Sequence, residues 1–204
     1  MKKSVFLLLL SAFFVSSYAT IPVPPKKDND NKYLIHLLVQ TRDSVLQAVN
    51  GLSDAQLTYK PAPDRWSVIE CVEHIMKTEK IFWNMEQQAV NQPANPEKRK
   101  DIKVTDEMIE KGVEDRSHKA KAPDMLVPTH EYSSNAALIK AFTDQRNQLI
   151  SYLENTKDNL RDHVTELPVF GTADAYQILL MDAAHTNRHT QQLREVMASP
   201  GFPK

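Results

Sequence analysis

The sequence predicts an all-α protein built as a four-helix bundle, with a long connection between the second and third helices. Three observations support this fold. Four segments carry apolar residues at helical spacing, capping residues or helix breakers bound each segment, and only four of the 204 residues are glycine. The predicted helices cover residues 32–49, 67–89, 135–156 and 172–198.

The first predicted helix follows a proline-rich segment and ends at a glycine. In residues 32–49, leucine, isoleucine and valine recur every three to four positions. Gly51 supplies the left-handed residue that commonly closes a helix. The next residues, 52–64, contain Pro61 and Pro63 and are therefore predicted to form an extended loop.

The second predicted helix begins with two start signals. Ser67 and Glu70 have the spacing of a capping box, and Trp66 and Cys71 have that of a hydrophobic staple. Cys71 is the only cysteine, so it can form no internal disulfide, and we interpret it as a small buried hydrophobic residue. His74 lies one turn later, at the edge of the apolar face. It is either a metal ligand or a polar residue at the rim of the core.

The connection between the second and third helices spans residues 91–134 and is the least regular part of the chain. It contains four prolines and a run of charges, with a short helix predicted over 105–111 and Thr105 as its cap. Connections of this length inside a compact domain are often functional or mobile, so this one is a candidate lid. After the third helix, residues 158–171 are predicted to form an extended crossover.

The N-terminus has the order of a secretory signal peptide. Lys2 and Lys3 precede an apolar run, and Ala19 ends a small-residue cleavage site. We therefore expect a secreted or periplasmic protein with four segments. These are a signal peptide over 1–19, a proline-rich disordered tether over 20–31, the helical-bundle domain over 32–198 and a C-terminal tail over 199–204.

The charge of the chain argues against nucleic-acid binding. The formal net charge is −1 at pH 7, and loss of the two lysines of the signal peptide makes it more negative. No basic surface of the kind that binds phosphates is therefore expected. We expect a small-molecule substrate, no membrane association after signal cleavage, and a homodimer as one assembly that the sequence allows.

The last predicted helix carries a pair of histidines. His185 and His189 are four residues apart and so lie one turn apart on one face, in a polar stripe that Asp182 and Gln192 extend. Such a pair can bind one divalent metal ion, or can hydrogen-bond to carboxylates and water. If the second and fourth helices face each other, His74 completes a site of three imidazoles. Three protein nitrogens with a free position are typical of catalytic metal sites, whereas structural zinc takes four ligands.

Other metal motifs do not fit the chain. The residue after His185 is Thr186, so the general-base glutamate of a His-Glu-x-x-His zincin is missing. A carboxylate-bridged di-iron bundle needs Glu-x-x-His from two helices, and here Asp182 stands three residues before His185 instead. We interpret His36 as a surface or satisfied core residue rather than a ligand.

These motifs together resemble the DinB/YfiT-like family. The resemblance spans most of residues 32–197. It is carried by Trp66-Ser-Val-Ile-Glu70, His74-Ile75 and His185-Thr-Asn-Arg-His189-Thr-Gln-Gln192, with Gly51-Leu-Ser53 and Lys121-Ala-Pro123. It implies a four-helix bundle in which one histidine of the second helix and two of the last hold a metal ion, here His74, His185 and His189. The absence of cysteine ligands suits zinc or nickel.

The resemblance implies a specific fold and a metal site, but it leaves several reactions open. Related bundles include thiol-dependent transferases and isomerases as well as metal-dependent hydrolases. Because low-molecular-weight thiols are mainly cytosolic, export favours a metal-dependent hydrolase that uses metal-bound water. A thiol-dependent S-transferase or isomerase and a non-catalytic metal- or ligand-binding envelope protein are the alternatives. Asp182 and Glu70 are candidate general bases.

Overall fold

The computed structural model describes residues 27–118, 121–168 and 170–204. Within these residues, four long helices form a bundle to which two short helices and one hairpin are added. The helices are α1 (Lys27–Val49), α2 (Asp54–Thr58), α3 (Val68–Val90), α4 (Asp106–Glu114), α5 (Asn135–Asn155) and α6 (Ala175–Met197). The strands are β1 (Val164–Leu167) and β2 (Gly171–Asp174). The predicted four-helix bundle is confirmed, whereas the predicted signal peptide lies outside the described residues.

Each long helix packs against two others. Both α1 and α3 contact α5 and α6, and the most extensive contact in the bundle is between α3 and α6. The expectation that the second and fourth long helices face each other is therefore confirmed. The short helix α4, from the long connection, packs against the outside of α6.

Two apolar clusters form the core, and every long helix contributes to both. The first cluster includes Leu34 of α1, Phe82 of α3, Leu149 of α5 and Ile178 of α6. The second cluster includes Val45 of α1, Val72 of α3, Leu138 of α5 and Leu193 of α6. Sequence order therefore shows that α1 and α6 run from the first cluster to the second, while α3 and α5 run the opposite way. The two helices that carry the histidines are thus antiparallel.

A buried polar layer separates the two clusters. At its centre is Arg146 of α5, which is fully buried. Arg146 is ion-paired with Glu79 of α3 and, at 3.3 Å, with Asp182 of α6. It also donates hydrogen bonds to Thr41 of α1 (2.9 Å) and Thr186 of α6 (2.8 Å). One side chain therefore links α5 to all three other long helices.

The structure differs from the predicted boundaries at the start of the chain. Helix α1 begins at Lys27, so residues 27–31 are helical although they were predicted to belong to the tether. The predicted loop 52–64 contains α2, in which Ser53 and Gln56 form a capping box. A five-residue helix is too short to show an apolar repeat, which explains why it was missed. Among the described residues, no helix combines the length and the apolar character needed to cross a membrane.

A β-hairpin begins in the predicted extended crossover, and its second strand extends into the start of the predicted last helix. Strands β1 and β2 are antiparallel, with Val164 opposite Asp174 and Leu167 opposite Gly171. Because Thr172 pairs in β2, α6 starts later than predicted, at Ala175. The all-α prediction therefore missed one small sheet, since the pairing of two four-residue strands leaves no local signature.

The connection is attached to the bundle through a buried arginine. Arg161, in the 3-10 turn before β1, forms ion pairs with Asp106 of α4 at 2.5 Å, Asp30 of α1 at 2.9 Å and Asp174 of β2 at 3.3 Å. Thr105 caps α4 by accepting a hydrogen bond from the Met108 N–H, as predicted. The connection is thus ordered by contacts with α1, α6 and the hairpin.

Glu86 of α3 makes the stability of the fold depend on pH. Its carboxyl is fully buried and accepts hydrogen bonds from Tyr152 (2.8 Å) and Gln87 (2.9 Å). Burial raises the pKa of Glu86 to about 7, from an ordinary value of 4.5. As pH rises from about 4.5 to about 7, the unfolded chain loses this proton while the folded chain keeps it, so stability falls across that range and levels off above it.

We predict that Glu86→Gln removes this dependence. The free energy of unfolding of the variant should exceed that of the parent by about 3 kcal/mol at pH 8 and equal it at pH 4. Urea denaturation at both pH values measures the difference, with the exposed Glu154→Gln as the control. A difference that is the same at both pH values would contradict the assignment.

Candidate metal centre

The start of α3 sets the position of the first histidine. The predicted capping box is present, because the Ser67 N–H donates to Glu70 Oε2 (2.7 Å) and the Glu70 N–H donates to Ser67 Oγ (3.3 Å). His74 follows one turn after Glu70 and is 3% exposed. It points into the interface with α6 and not to the rim of the core.

Helix α6 supplies the other two imidazoles from the opposite side of this interface. A second capping box, formed by Asp174 and Gln177, fixes the start of the helix. His185 keeps partial exposure, and His189 is 8% exposed. Because α3 packs against α6, the turn of α3 that carries His74 meets the two successive turns of α6 that carry these histidines.

The three imidazoles converge on one point. One ring nitrogen from each of His74, His185 and His189 lies within 4.8 Å of the other two. Nε2 of His74 is 3.2 Å from Nε2 of His185, and the ring of His189 is 4.4 Å from each of the other two rings, centroid to centroid. The structure therefore brings together all three residues that the sequence predicted as ligands.

Outer hydrogen bonds define the tautomers of two histidines. Nδ1 of His74 is 2.9 Å from the carbonyl oxygen of Leu126, and Nδ1 of His189 is 2.9 Å from Oε1 of Gln192. Carbonyl and amide oxygens only accept, so Nδ1 carries the proton in both rings and Nε2 keeps its lone pair. Nδ1 of His185 is buried and has no hydrogen-bond partner within the described residues.

This arrangement fits a single divalent ion. Nitrogens bound to a tetrahedral ion at about 2.0–2.1 Å lie about 3.3–3.4 Å apart, close to the 3.2 Å between the Nε2 atoms of His74 and His185. Three neutral imidazoles form a donor set for borderline metals such as zinc and nickel. Without an ion, the same separation allows Nε2–H of His185 to donate to Nε2 of His74.

The environment keeps all three imidazoles uncharged at neutral pH. Burial is the largest cause in each case: it lowers the pKa of His74, lowers that of His185 well below 6.5 and lowers that of His189 to about 3. Repulsion among the imidazoles adds to the lowering of the pKa of His185 and His189. Metal binding requires the neutral form, so protons compete weakly at this site.

Aromatic side chains cover two sides of the imidazole cluster. The Trp66 ring lies 4.6 Å from the His74 ring and 6.0 Å from the His189 ring. The Phe82 ring lies 6.3 Å from that of His185, and Phe170 of the hairpin turn packs 6.2 Å from Phe82. The structural role that the sequence predicts for Trp66 is that of a helix staple. The structure gives it a second position, as a wall of the site.

The candidate general bases are both engaged elsewhere. Glu70 caps α3 and is ion-paired with Lys60 at 3.0 Å; burial alone would raise its pKa, but hydrogen bonds from the Ser67 N–H and from Lys60 lower it. Asp182 lies in the polar layer beside Arg146, where burial raises its pKa well above the usual value. Neither carboxylate belongs to the imidazole cluster.

The remaining cysteine and histidines do not join the cluster. Cys71 is buried within the second apolar cluster, which confirms its interpretation as a hydrophobic residue, and burial raises the pKa of its thiol to about 12. His36 is on the exposed side of α1, as expected. His118 and His130 are exposed in the connection, and His163 lies beside the hairpin.

Comparison with known proteins identifies the family. The family model of the DinB superfamily matches residues 37–193. The chain belongs to the DinB superfamily. A relative within the curated proteins, the uncharacterized protein YuaE of Bacillus subtilis (strain 168), is 28% identical over 148 residues, which cover 72% of this chain and 87% of YuaE.

A solved structure shows the same fold. YfiT from Bacillus subtilis, described as a probable metal-dependent hydrolase with an unusual four-helix bundle topology, aligns with a TM-score of 0.59 at 14% identity. The alignment covers 90% of this DinB superfamily member and 95% of YfiT. At this identity the likeness shows the fold alone.

Sequence reasoning missed two groups near the predicted ligands: one contacts His74 and the other contacts Gln192, the hydrogen-bond partner of His189. The Leu126 carbonyl gives no sequence signal, because every residue has one. Arg116, which donates to Gln192 at 3.3 Å, lies in an irregular segment 76 residues away. The sequence did place Gln192 one turn after His189, but it gave no sign that Arg116 is its hydrogen-bond partner.

We predict that the three histidines bind metal as a unit. Replacing His74, His185 or His189 with alanine should remove most of the bound metal, because two imidazoles hold an ion far less tightly than three. Elemental analysis of protein purified without a histidine tag measures this, and circular dichroism should show that the helices persist. His36→Ala and His163→Ala are controls that should keep the metal content of the parent. Equal metal in His74→Ala and the parent would mean that α3 supplies no ligand.

Proposed function

We propose that this protein is an exported metal-dependent hydrolase in which His74, His185 and His189 hold one divalent ion, zinc or nickel. The observation that carries the proposal is the convergence of three uncharged imidazole nitrogens, two of them 3.2 Å apart. Three donors rather than four is the number found at catalytic zinc sites. The description of YfiT as a probable metal-dependent hydrolase supports the same reaction class.

The residues around the site have distinct roles in such a reaction. A bound ion would supply Lewis acidity, lowering the pKa of a water molecule and polarising a substrate carbonyl. The Leu126 carbonyl and Gln192 orient the imidazoles of His74 and His189. Trp66 and Phe82 exclude water from two sides of the cluster. His185 is the one member of the cluster that keeps partial exposure, which favours approach of a substrate from its side.

We predict hydrolysis that depends on both the ion and the triad. Metal-loaded protein should cleave at least one of a chromogenic carboxylic ester, an amide and a phosphate ester. Chelation or His185→Ala should reduce the rate to that of the metal-free protein, and His163→Ala should retain the parent rate. The assay is run with and without a low-molecular-weight thiol.

The outcomes separate the three candidate functions. Turnover only when the thiol is present would replace the hydrolase with a thiol-dependent transferase or isomerase. Stoichiometric metal with no turnover of any of the three ester and amide classes would instead indicate a non-catalytic metal-binding protein.

Export is a separate part of the proposal, supported by the order of basic, apolar and small residues in the first nineteen positions. Intact-mass analysis of protein from its native source should show a chain that begins near Thr20. A soluble cytoplasmic pool with Met1 to Ala19 still attached would contradict export and favour the thiol-dependent alternative.

A further inference from the structure

The long connection contacts the outer nitrogens of two histidines, by different routes. Leu126 reaches His74 directly through its backbone carbonyl. Arg116 reaches His189 through Gln192: Nη1 of Arg116 is 3.3 Å from Gln192 Oε1, and this oxygen is 2.9 Å from Nδ1 of His189. The second route consists of side chains and can therefore be altered by substitution.

The chemistry of Arg116 determines the orientation of this chain of hydrogen bonds. A guanidinium only donates, so the side of the Gln192 amide that faces it must be the oxygen. The same oxygen can only accept from His189, and the proton of His189 is therefore on Nδ1. The lone pair of His189 is left on Nε2, the nitrogen on the other side of the ring.

Arg116 is itself held in place. Its Nε and Nη2 donate to the two oxygens of Glu195, each at 2.7 Å, in a bidentate pair. Arg188, the residue before His189, donates to the backbone carbonyls of Asp115 and of His118, the latter at 2.8 Å. The segment that carries Arg116 is thus fixed to α6 on both sides of Gln192.

We propose that Gln192 and Arg116 are positioning residues that hold His189 as the Nδ1–H tautomer with Nε2 directed at the other two imidazoles. The inference rests on the proposed metal site and extends it. Hydrogen-bond partners of metal-binding histidines typically change metal affinity 10- to 100-fold when they are lost. A segment of the connection therefore sets the affinity of a ligand on α6.

The first test measures the affinity of the full chain for Co²⁺. Gln192→Leu, which removes the acceptor, should weaken Co²⁺ binding about 10- to 100-fold and change the visible spectrum of the bound ion. Gln192→Glu should restore binding, because a carboxylate accepts from both His189 and Arg116. Arg116→Ala should also weaken binding, because the amide then loses its orientation. Gln191→Leu, the same change at the preceding position of α6, should bind as the parent does.

The second test needs no metal. Nitrogen-15 NMR of the metal-free protein reports which nitrogen of His189 carries the proton. The parent and Gln192→Glu should show Nδ1–H alone, whereas Gln192→Leu should show a mixture of the two tautomers. This measurement tests the positioning of His189 even if the parent binds no Co²⁺. Absence of Co²⁺ binding would contradict the proposed function but not the tautomer assignment.

Two results would overturn the inference. One is a Gln192→Leu variant that keeps both the parent affinity and the Nδ1–H tautomer. The other is equal weakening by Gln192→Leu and Gln192→Glu, because the carboxylate of Glu keeps the acceptor for His189 Nδ1–H and should therefore restore binding if this hydrogen bond positions the ring.

Discussion

The burial of Arg146 is the interaction on which the bundle depends. Burying a guanidinium away from water costs free energy unless each of its N–H groups donates to an acceptor and its charge is paired. Here the acceptors come from all three other long helices: Thr41 on α1, Glu79 on α3, and Asp182 with Thr186 on α6. Sliding any one helix along its axis would break part of this set, whereas the apolar clusters on either side would tolerate small shifts.

The same interaction sets the geometry of the histidine site. Glu79 follows His74 by five residues on α3, and Asp182 and Thr186 flank His185 on α6. The pairs made by Arg146 therefore fix the height of α3 relative to α6 close to where the imidazoles meet. The polar layer and the histidine cluster are neighbouring parts of one interface, and the ring distances at the cluster follow from the helix register.

The connection belongs to the site as well as to the fold. Its later part is held against α3, where Glu73 accepts hydrogen bonds from the Thr129 and His130 N–H groups (2.7 and 3.1 Å) and Lys77 donates to the Val127 carbonyl (2.9 Å). Its earlier part is held against α6 by Arg188 and Glu195. The residues that hold it are thus neighbours of His74 on α3 and of His189 on α6.

The sequence by itself determined the long helices, the caps of α3 and α4, and the pair His185 and His189, because apolar periodicity, capping and one-turn spacing are local properties. It also identified His74, with a polar rim residue as the alternative. Only the tertiary structure decided the hairpin, the role of Arg146, and the hydrogen bonds of the Leu126 carbonyl and of Arg116. Leu126 is 52 residues from its partner His74, and Arg116 is 76 residues from its partner Gln192. Such pairings depend on how the helices are arranged in space. A backbone carbonyl cannot be recognised as a partner from the sequence, because every residue has one.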